Sequence, residues 1–193
     1  MARTSSTMLP LNTPLPEFTL PDGEGRLFDL AGVAGPKGLL VAFICNHCPY
    51  VKHINPALAP LGAQLAEDGV GMVAISSNDI QAHPDDAPSK MVSAAKDLGY
   101  TFPYLYDETQ AAAHAFGAAC TPDFYLFNGE LELVYRGQFD STRPGQGAAA
   151  TGADIIAAVA ALVAGNPPLR EQQPSLGCNI KWKPGSAPDY FPG

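Results

Sequence analysis

The amino-acid sequence predicts an α/β fold in which a mixed central sheet is flanked by helices. Two continuous apolar runs, "KGLLVAFI" (37–44) and "GVGMVAISS" (69–77), are typical of strands buried on both faces. A segment with helical features follows each run, and an antiparallel hairpin and a last apolar helix complete the pattern at 123–137 and 153–165. With 193 residues, the chain is long enough for one domain with a substantial core.

The N-terminal part is predicted to be an arm followed by a hairpin. Residues 1–16 contain three prolines and are expected to form a loose arm. The stretch "EFTLPDGEGRLFDL" (17–30) reads as a β-hairpin extension, because two short alternating runs flank a turn with Asp22 and Gly25. After the first buried strand, Pro49 suits the first turn of a helix, where its missing N–H costs nothing. Pro56 and Pro60 predict that this helix is divided into a short first piece, a kink and a second piece through Glu67.

The second half is predicted to contain an insertion, the hairpin, a helix and a tail. The insertion at 78–107 holds a polar loop, a helix at 88–99 and a short strand at 102–107, and a short helix follows at 108–117. The 123–137 hairpin is expected to turn at Asn128-Gly129 in the type I′ conformation. The proline-rich C-terminal tail, 166–193, is predicted to be extended and packed on a redoxin domain at 17–165.

Composition and charge exclude several classes of function. The net charge is −8 and the sequence has no cluster of Lys and Arg, so no nucleic-acid partner is expected. No window reaches the roughly 18 apolar residues that a membrane span needs, so no membrane partner is expected. The N-terminus lacks the apolar segment of a secretory signal, and we therefore expect a cytoplasmic protein. Four cysteines in such a chain indicate redox or metal chemistry rather than a disulfide framework.

The stretch "ICNHCPY" (44–50) is the main chemical motif. Cys45 lies between a buried strand and a helix start, where free N–H groups and the helix dipole favour a thiolate. Cys48 lies one helical turn further on, close enough to resolve a mixed disulfide at Cys45. His47 is positioned to stabilise the thiolate and so make the oxidised pair a stronger oxidant. A zinc site would need two further ligands, and two inert buried thiols are the third interpretation.

Three motifs in order, "CNHCPYVKH", "CTPDFYLF" and "GCNIKWKP", give the chain a specific resemblance over about residues 14–184. It resembles the thioredoxin-fold superfamily, in the branch shared by peroxiredoxin-like proteins (alkyl hydroperoxide reductase/thiol-specific antioxidant) and TlpA/ResA-like thiol-disulfide oxidoreductases. The resemblance implies a thioredoxin-like fold with a cis-proline at Pro122. It also implies that Cys45 is the exposed attacking cysteine, Cys48 the buried resolving one, and Thr121 a backbone partner for an extended substrate segment. The expected supporting residues are Asn46, His47, Pro49, Thr121 and Pro122.

The resemblance implies antioxidant or redox-homeostasis chemistry on protein or small-molecule disulfides and dithiols. The electron donor is expected to be thioredoxin-like or glutathione-like. No cofactor is expected beyond the redox-active disulfide Cys45–Cys48. A thiol peroxidase acting on hydrogen or alkyl peroxides is the enzymatic alternative, and a zinc-binding or redox-sensing module is the non-enzymatic one.

The sequence departs from both parent families, and its departures from the peroxiredoxins argue against efficient peroxidase chemistry. Peroxiredoxins carry Thr or Ser three residues before the peroxidatic cysteine, where this chain has Cys45 or Ala42, depending on which cysteine is aligned. The motif "TPDFYLF" lacks a preceding arginine, which leaves Arg136 and Arg143 as candidates. Thioredoxin has an acid in the strand before its cysteine pair, near the place of Ala42. We expect His47, Glu67 or Glu108 to substitute for that acid.

Two further cysteines are possible additional redox residues. Cys120 is two residues before Pro122 and is either a third redox thiol or a small buried residue. Cys178 lies in the tail and either forms a disulfide with Cys120 or the active site, or is a half-buried thiol. Among the remaining residues, Trp182 is expected to hold the tail on the domain, and His53 either borders the site or is an exposed helix histidine. We expect His83 to be an ordinary loop residue, and Asp85 and Asp86 to form a solvated acidic run.

Overall fold

The computed structural model describes residues 3–191, so Met1, Ala2, Pro192 and Gly193 of the predicted arm and tail lie outside the described residues. The strands in chain order are β1 (Arg3–Ser5), β2 (Thr19–Pro21), β3 (Leu27–Asp29), β4 (Gly38–Phe43), β5 (Val70–Ser76), β6 (Tyr104–Tyr106), β7 (Cys120–Thr121), β8 (Asp123–Asn128), β9 (Leu133–Gly137) and β10 (Leu176–Asn179). The helices are α1 (Leu30–Val33), α2 (Pro49–Glu67), α3 (Pro88–Leu98), α4 (Ala111–Ala115) and α5 (Ala153–Val163). A 3-10 turn covers Pro84–Asp86.

The central sheet is mixed, as the sequence predicts. Strand β4 pairs antiparallel with β8, and β8 pairs antiparallel with β9. On the other side β5 lies beside β4, where the Ile44 amide donates to the Ile75 carbonyl oxygen at 2.9 Å. The edge is completed by β6, which pairs parallel with β5. The predicted hairpin extension is also present, because β2 and β3 pair antiparallel.

The two faces of β4 explain its continuous apolar sequence. Side chains alternate along a strand, so a strand covered on both sides needs apolar residues at every position. Leu40, Ala42 and Ile44 pack into a cluster with α2 and α5. Leu39, Val41 and Phe43 belong to a second cluster with α1 and α4. The thioredoxin-like α/β fold is therefore confirmed, with helices on both faces of the sheet.

Helix α2 is continuous, so the predicted division at its prolines is wrong. It runs from Pro49 to Glu67 with Pro56 and Pro60 inside it. Both prolines are exposed, which leaves water to satisfy the carbonyl oxygens that lose their intrahelical partners. The opposite face is buried against the sheet and includes Ile54 and Leu58. No helix within residues 3–191 has the length and apolarity needed to cross a membrane.

The chain ends meet in a second, small sheet beside the first. Strand β10 of the tail lies between β1 and β7 and pairs antiparallel with each. The predicted arm thus contains a strand that is held by the tail. The hairpin turn after β8 also differs from the predicted type I′ turn: it is longer, and Asn128 Oδ1 accepts from the Glu130 and Glu132 amides. The division of the chain at residues 16 and 165 stays a prediction.

Candidate redox site

The two cysteines of the motif lie where β4 gives way to α2. Cys48 is the residue directly before the first helical residue, Pro49, and Cys45 precedes it on the connecting loop. Free N–H groups of the first helical turn therefore favour negative charge on Cys48 more directly than on Cys45. Both thiols are buried, with 1% of Cys45 and 0% of Cys48 exposed. The expectation that Cys45 is exposed is wrong, because the surrounding loops cover it.

The loop at Thr121-Pro122 faces this pair. The peptide bond between these residues is cis. Thr121 Oγ1 lies 3.4 Å from Cys45 Sγ. The Thr121 carbonyl oxygen lies 3.2 Å from Cys48 Sγ and accepts a hydrogen bond from it when Cys48 is a thiol. One residue of the cis-proline loop thus contacts both sulfur atoms.

The tail occupies the open edge of that loop. In β10, Cys178 stands opposite Thr121 and Asn179 stands opposite Cys120. Gly177 allows this close approach, because a Cβ there would lie 2.0 Å from the Thr121 carbonyl oxygen. The resemblance implies a substrate segment at the Thr121 backbone, whereas the structure places the protein's own tail there. An external strand can pair at Thr121 only after β10 leaves.

Three sulfur atoms form a hydrogen-bonded chain with Cys48 in the middle. Hydrogen bonds from Cys178 and Cys45, aided by the Val51 amide, lower the pKa of Cys48. The pKa of Cys45 is raised by its hydrogen bond to Cys48, by burial and by the Asp86 carboxylate. The pKa of Cys178 is raised, first by its hydrogen bond to Cys48 and then by burial. The arrangement favours one negative charge shared among the three hydrogen-bonded sulfur atoms.

Cys120 is also buried close to this group. Its side chain is fully covered, and its sulfur lies 3.7 Å from the Pro122 carbonyl oxygen. Burial raises its pKa, as do the charges of Asp123 and Cys48. These effects outweigh the hydrogen bond from the Gly177 backbone and disfavour a Cys120 thiolate, so Cys120 is poorly suited to attack.

Asp86 organises the loop between the two cysteines, so the expectation of a solvated acidic run is wrong for this residue. Asp86 is fully buried, and its Oδ1 accepts from the Asn46 amide at 2.8 Å and the His47 amide at 3.3 Å. Its Oδ2 lies 2.6 Å from His47 Nδ1 and 2.8 Å from the Asn78 side-chain nitrogen. Burial raises the pKa of Asp86, but the His47 and Asn78 hydrogen bonds outweigh it and the net shift is downward. Asp86 therefore remains ionised beside the thiols.

His47 carries the complementary positive charge. Its hydrogen bond to Asp86 raises its pKa against the opposing effect of burial. The His83 ring stacks on it with 4.9 Å between centroids, so His83 is a site residue rather than an ordinary loop residue. Burial and the charge of His47 lower the pKa of His83. The lower pKa favours a neutral His83 ring stacked on a charged His47 ring. Among residues 3–191, the buried Nε2 of His47 has no hydrogen-bond partner.

Asn46 is held by groups from the insertion. Its side-chain nitrogen donates to the Asp85 carbonyl oxygen at 2.9 Å, and its Oδ1 accepts from the Tyr104 hydroxyl at 3.2 Å. Burial raises the pKa of Tyr104 well above its ordinary value, with a further contribution from Cys45. These contacts link the predicted insertion to the loop that carries the cysteines.

A fully buried acid, Asp123, lies next to the cis-proline and close to Cys120. It follows Pro122 and stands opposite Phe43 in the sheet, one residue from the pairing of Ala42. Burial raises its pKa to about 8, and its Oδ2 accepts from the Tyr125 hydroxyl at 3.0 Å. Of the three expected substitutes for the thioredoxin acid, Glu67 and Glu108 are exposed, whereas His47 interacts with Cys48.

Both candidate arginines are engaged elsewhere. Arg136 donates to the Leu9 carbonyl oxygen and to Gln172. Arg143 donates to the carbonyl oxygens of Asp140 and Thr142. Arg143 also lines a small groove beside Pro122, which is bordered by Tyr50 and His53. In this way His53 does border the site, with its Nε2 2.8 Å from Thr142 Oγ1.

One group of possible metal ligands lies at the same place. The side-chain ligand atoms of Cys45, His47 and Asp86 are all within 4.8 Å of one another. Besides Cys45 and His47, this group contains Asp86 and neither Cys120 nor Cys178.

Trp182 packs at the edge of the second core cluster, 4.8 Å from the His114 ring, and holds the tail there.

A buried cysteine pair at a helix start, facing a cis-proline loop on a mixed sheet, defines a thioredoxin-like protein. A sequence profile of the AhpC/TSA family matches residues 11–137, and the chain belongs to that family. The thiol-disulfide oxidoreductase ResA from Halalkalibacterium halodurans is 28% identical over 122 residues, which cover 62% of this chain and 65% of that protein.

Several solved structures are similar to this chain in fold. The crystal structure of an uncharacterized conserved protein from Geobacillus kaustophilus is similar with a TM-score of 0.93 and 47% identity, covering 96% of this chain and 99% of that one. A thioredoxin-like protein in its oxidised form has a TM-score of 0.63 at 21% identity, covering 82% of this chain and 99% of that one. The second likeness shows the fold alone.

Proposed function

We propose that this protein is a thiol-disulfide oxidoreductase in which Cys45 attacks and Cys48 resolves. The observation that carries the proposal is the hydrogen-bonded thiol pair at the start of α2, facing the Thr121-Pro122 loop. The sequence relationship to a thiol-disulfide oxidoreductase supports the same reaction class. The substrates are disulfides or dithiols, with electrons supplied by a thioredoxin-like or glutathione-like donor in the cytoplasm.

The reaction proceeds by two exchanges of one disulfide bond. Cys45 passes its proton along the hydrogen bond to the Cys48 thiolate and attacks a substrate sulfur. A Cys45–substrate disulfide forms, and the first half of the substrate leaves as a thiolate. This thiolate takes up the proton that Cys48 received from Cys45. The Cys48 thiolate then attacks Cys45 Sγ and releases the second half as a thiolate. The substrate disulfide is reduced by two electrons and Cys45–Cys48 is oxidised to a disulfide.

The charges around the pair bear on the first of these steps. Asp86 raises the pKa of Cys45, so its proton must pass to a neighbouring sulfur before attack, and Cys48, which is hydrogen-bonded to Cys45, is the acceptor. The attraction between His47 and Cys48 raises the pKa of His47, and it must stabilise the Cys48 thiolate equally. Since only 1% of Cys45 is exposed, the groups that cover it must move before a substrate sulfur can reach it.

A comparison of two oxidants tests the proposal against the peroxidase alternative. Reduced protein is mixed with oxidised glutathione or with hydrogen peroxide at equal concentration, and loss of the Cys45 thiol is followed by quenching and mass spectrometry. We expect reaction with the disulfide to be at least about tenfold faster than for a free thiol of matched pKa, and reaction with peroxide to be no faster. The opposite order would replace the proposal with peroxidase activity.

The ligand atoms of Cys45, His47 and Asp86 favour a second candidate, a zinc-binding or redox-sensing module. It is tested by measuring zinc in protein purified without chelator, with Asp86→Asn as the ligand variant and Asp85→Asn as the matched control. We expect well under one zinc per chain. Stoichiometric zinc that is lost in Asp86→Asn and retained in Asp85→Asn would favour the metal-binding module.

A further inference from the structure

The tail strand β10 lies where an extended substrate would be recognised. It runs antiparallel to the residues just before the cis-proline, with Cys178 directly opposite Thr121. The Ile180 amide donates to the Ala119 carbonyl oxygen at 3.1 Å and extends the same pairing. Backbone pairing of this kind is how a sheet edge holds an extended peptide. Cys178 therefore holds the position of a cysteine in a bound substrate strand.

Cys178 is also in direct contact with the resolving cysteine. Its thiol is hydrogen-bonded to Cys48, and only 4% of the residue is exposed. The other edge of β10 is covered by β1, where Cys178 stands opposite Arg3. A thiol held against the sulfur of a redox pair, with solvent excluded, satisfies the proximity that thiol-disulfide exchange needs.

Neighbouring groups fix the tail in this position. Lys181 Nζ donates to the Asn179 carbonyl oxygen at 2.9 Å, and its positive charge favours the ionised form of Cys178. The Lys181 amide donates to Asn78 Oδ1 at 2.8 Å, and the Asn78 side chain in turn donates to Asp86. The tail and the loop between the two cysteines are thus connected through one asparagine.

We propose that Cys178 is a third redox residue, which exchanges with the oxidised pair to form a Cys48–Cys178 disulfide and return Cys45 to the thiol state. The proposal rests on the function proposed above, since that reaction supplies the Cys45–Cys48 disulfide. Cys178 is delivered to the pair by the protein's own tail, and it bonds to Cys48 rather than to Cys45, where a substrate sulfur bonds.

The exchange is balanced within the chain. The Cys178 thiolate attacks Cys48 Sγ, the bond between Cys48 and Cys178 forms, and the bond between Cys45 and Cys48 breaks. Cys45 leaves as a thiolate and takes up the proton that Cys178 released. The number of disulfides stays at one, so no further oxidant or reductant is consumed. The product links α2 covalently to the tail and fixes β10 on the cis-proline loop.

The wild-type protein provides the main test. Protein is equilibrated with mixtures of reduced and oxidised glutathione, quenched in acid, unfolded, alkylated and mapped by mass spectrometry without reduction. In molecules with one disulfide, we expect Cys48 to be protected throughout, while the protected fractions of Cys45 and Cys178 add up to one. Cys120 should be alkylated in full.

The possible outcomes separate this proposal from the one on which it rests. A Cys45–Cys48 disulfide with Cys178 fully alkylated at every glutathione ratio would overturn the third redox residue and leave the oxidoreductase standing. No disulfide at Cys48 under any condition would contradict both. A disulfide between Cys120 and Cys178 would also overturn the exchange, because it leaves Cys48 out.

A variant isolates the final state. Cys45→Ala removes the competing partner, and diamide oxidises dithiols without adding atoms to them. We expect Cys45→Ala treated with diamide to form the Cys48–Cys178 disulfide, and the matched variant Cys45→Ala/Cys120→Ser to form it to the same extent. The proposal would be refuted if neither variant forms this disulfide although the circular dichroism spectra of both match that of the wild type.

Discussion

Replacing His47 by Gln should make the cysteine pair more reducing. The change keeps the amide that donates to Asp86 but removes the cation 2.6 Å from the carboxylate. The side-chain ligand atoms of Asp86 and Cys45 lie within 4.8 Å of each other. At an effective dielectric constant of about 20, an uncompensated carboxylate at that distance costs a thiolate about 3.5 kcal/mol. For a two-electron couple this corresponds to about 75 mV.

Part of that cost is relieved when Asp86 binds a proton, so we expect a potential more negative by about 20 to 75 mV. The assay is equilibration with glutathione or dithiothreitol mixtures, followed by acid quenching and alkylation. His83→Gln is the matched control, because it removes the ring stacked on His47 but keeps the ion pair with Asp86. An unchanged or more positive potential in His47→Gln would refute this account of the charges.

Three other changes test the buried groups around the site. Burial raises the pKa of Asp123 from 3.8 to about 8. As pH rises between these values, Asp123 ionises first in the unfolded chain, so the free energy of unfolding falls by at most about 6 kcal/mol. Asp123→Asn should flatten this fall in urea unfolding, and an unaltered pH profile would contradict the prediction. Gly177→Ala places a Cβ 2.0 Å from the Thr121 carbonyl oxygen and should cost about 2 kcal/mol or more of unfolding free energy, whereas an unchanged urea midpoint would contradict the pairing. Tyr104→Phe removes the hydrogen bond to Asn46 and should lower the free energy of unfolding by about 1 kcal/mol in the same urea measurement. An unchanged free energy of unfolding would contradict a role of Tyr104 in holding the loop.

The fold could be predicted because its signals are local and repeated. The run 38–43 is apolar at every position, and both faces of the strand are in fact covered. Pro56 and Pro60 misled the prediction for α2, since their effect depends on which face of the helix they occupy. That face is set by packing against the sheet rather than by the proline itself.

The candidate site could be predicted only in part, because several of its contacts join distant segments. Cys45 and Cys48 are marked by their spacing, but Asp86 reaches the loop from 40 residues away in sequence, as its bond to the Asn46 amide shows. Next to Asp85, it looks like one of two solvated acids. The signal that could have identified it is the 3-10 turn at Pro84, which directs one acid inward.

Local sequence patterns also do not predict the tail strand. Four residues, Leu176–Asn179, carry no recognisable alternation, and prolines surround them. Strand β10 exists because β7 and β1 offer backbone partners on both sides, a property of the assembled fold. The motif "GCNIKWKP" identified the segment as notable without indicating its partner.

The most direct test of the account is the order of attack at Cys45 and Cys48. Reduced Cys48→Ser and Cys45→Ser proteins are each treated with oxidised glutathione, and the adducts are located by mass spectrometry without reduction. The account predicts one stable glutathione on Cys45 in Cys48→Ser and none on Cys48 in Cys45→Ser. A glutathione on Cys48 in the Cys45→Ser protein, or no adduct on Cys45 in the Cys48→Ser protein, would contradict it.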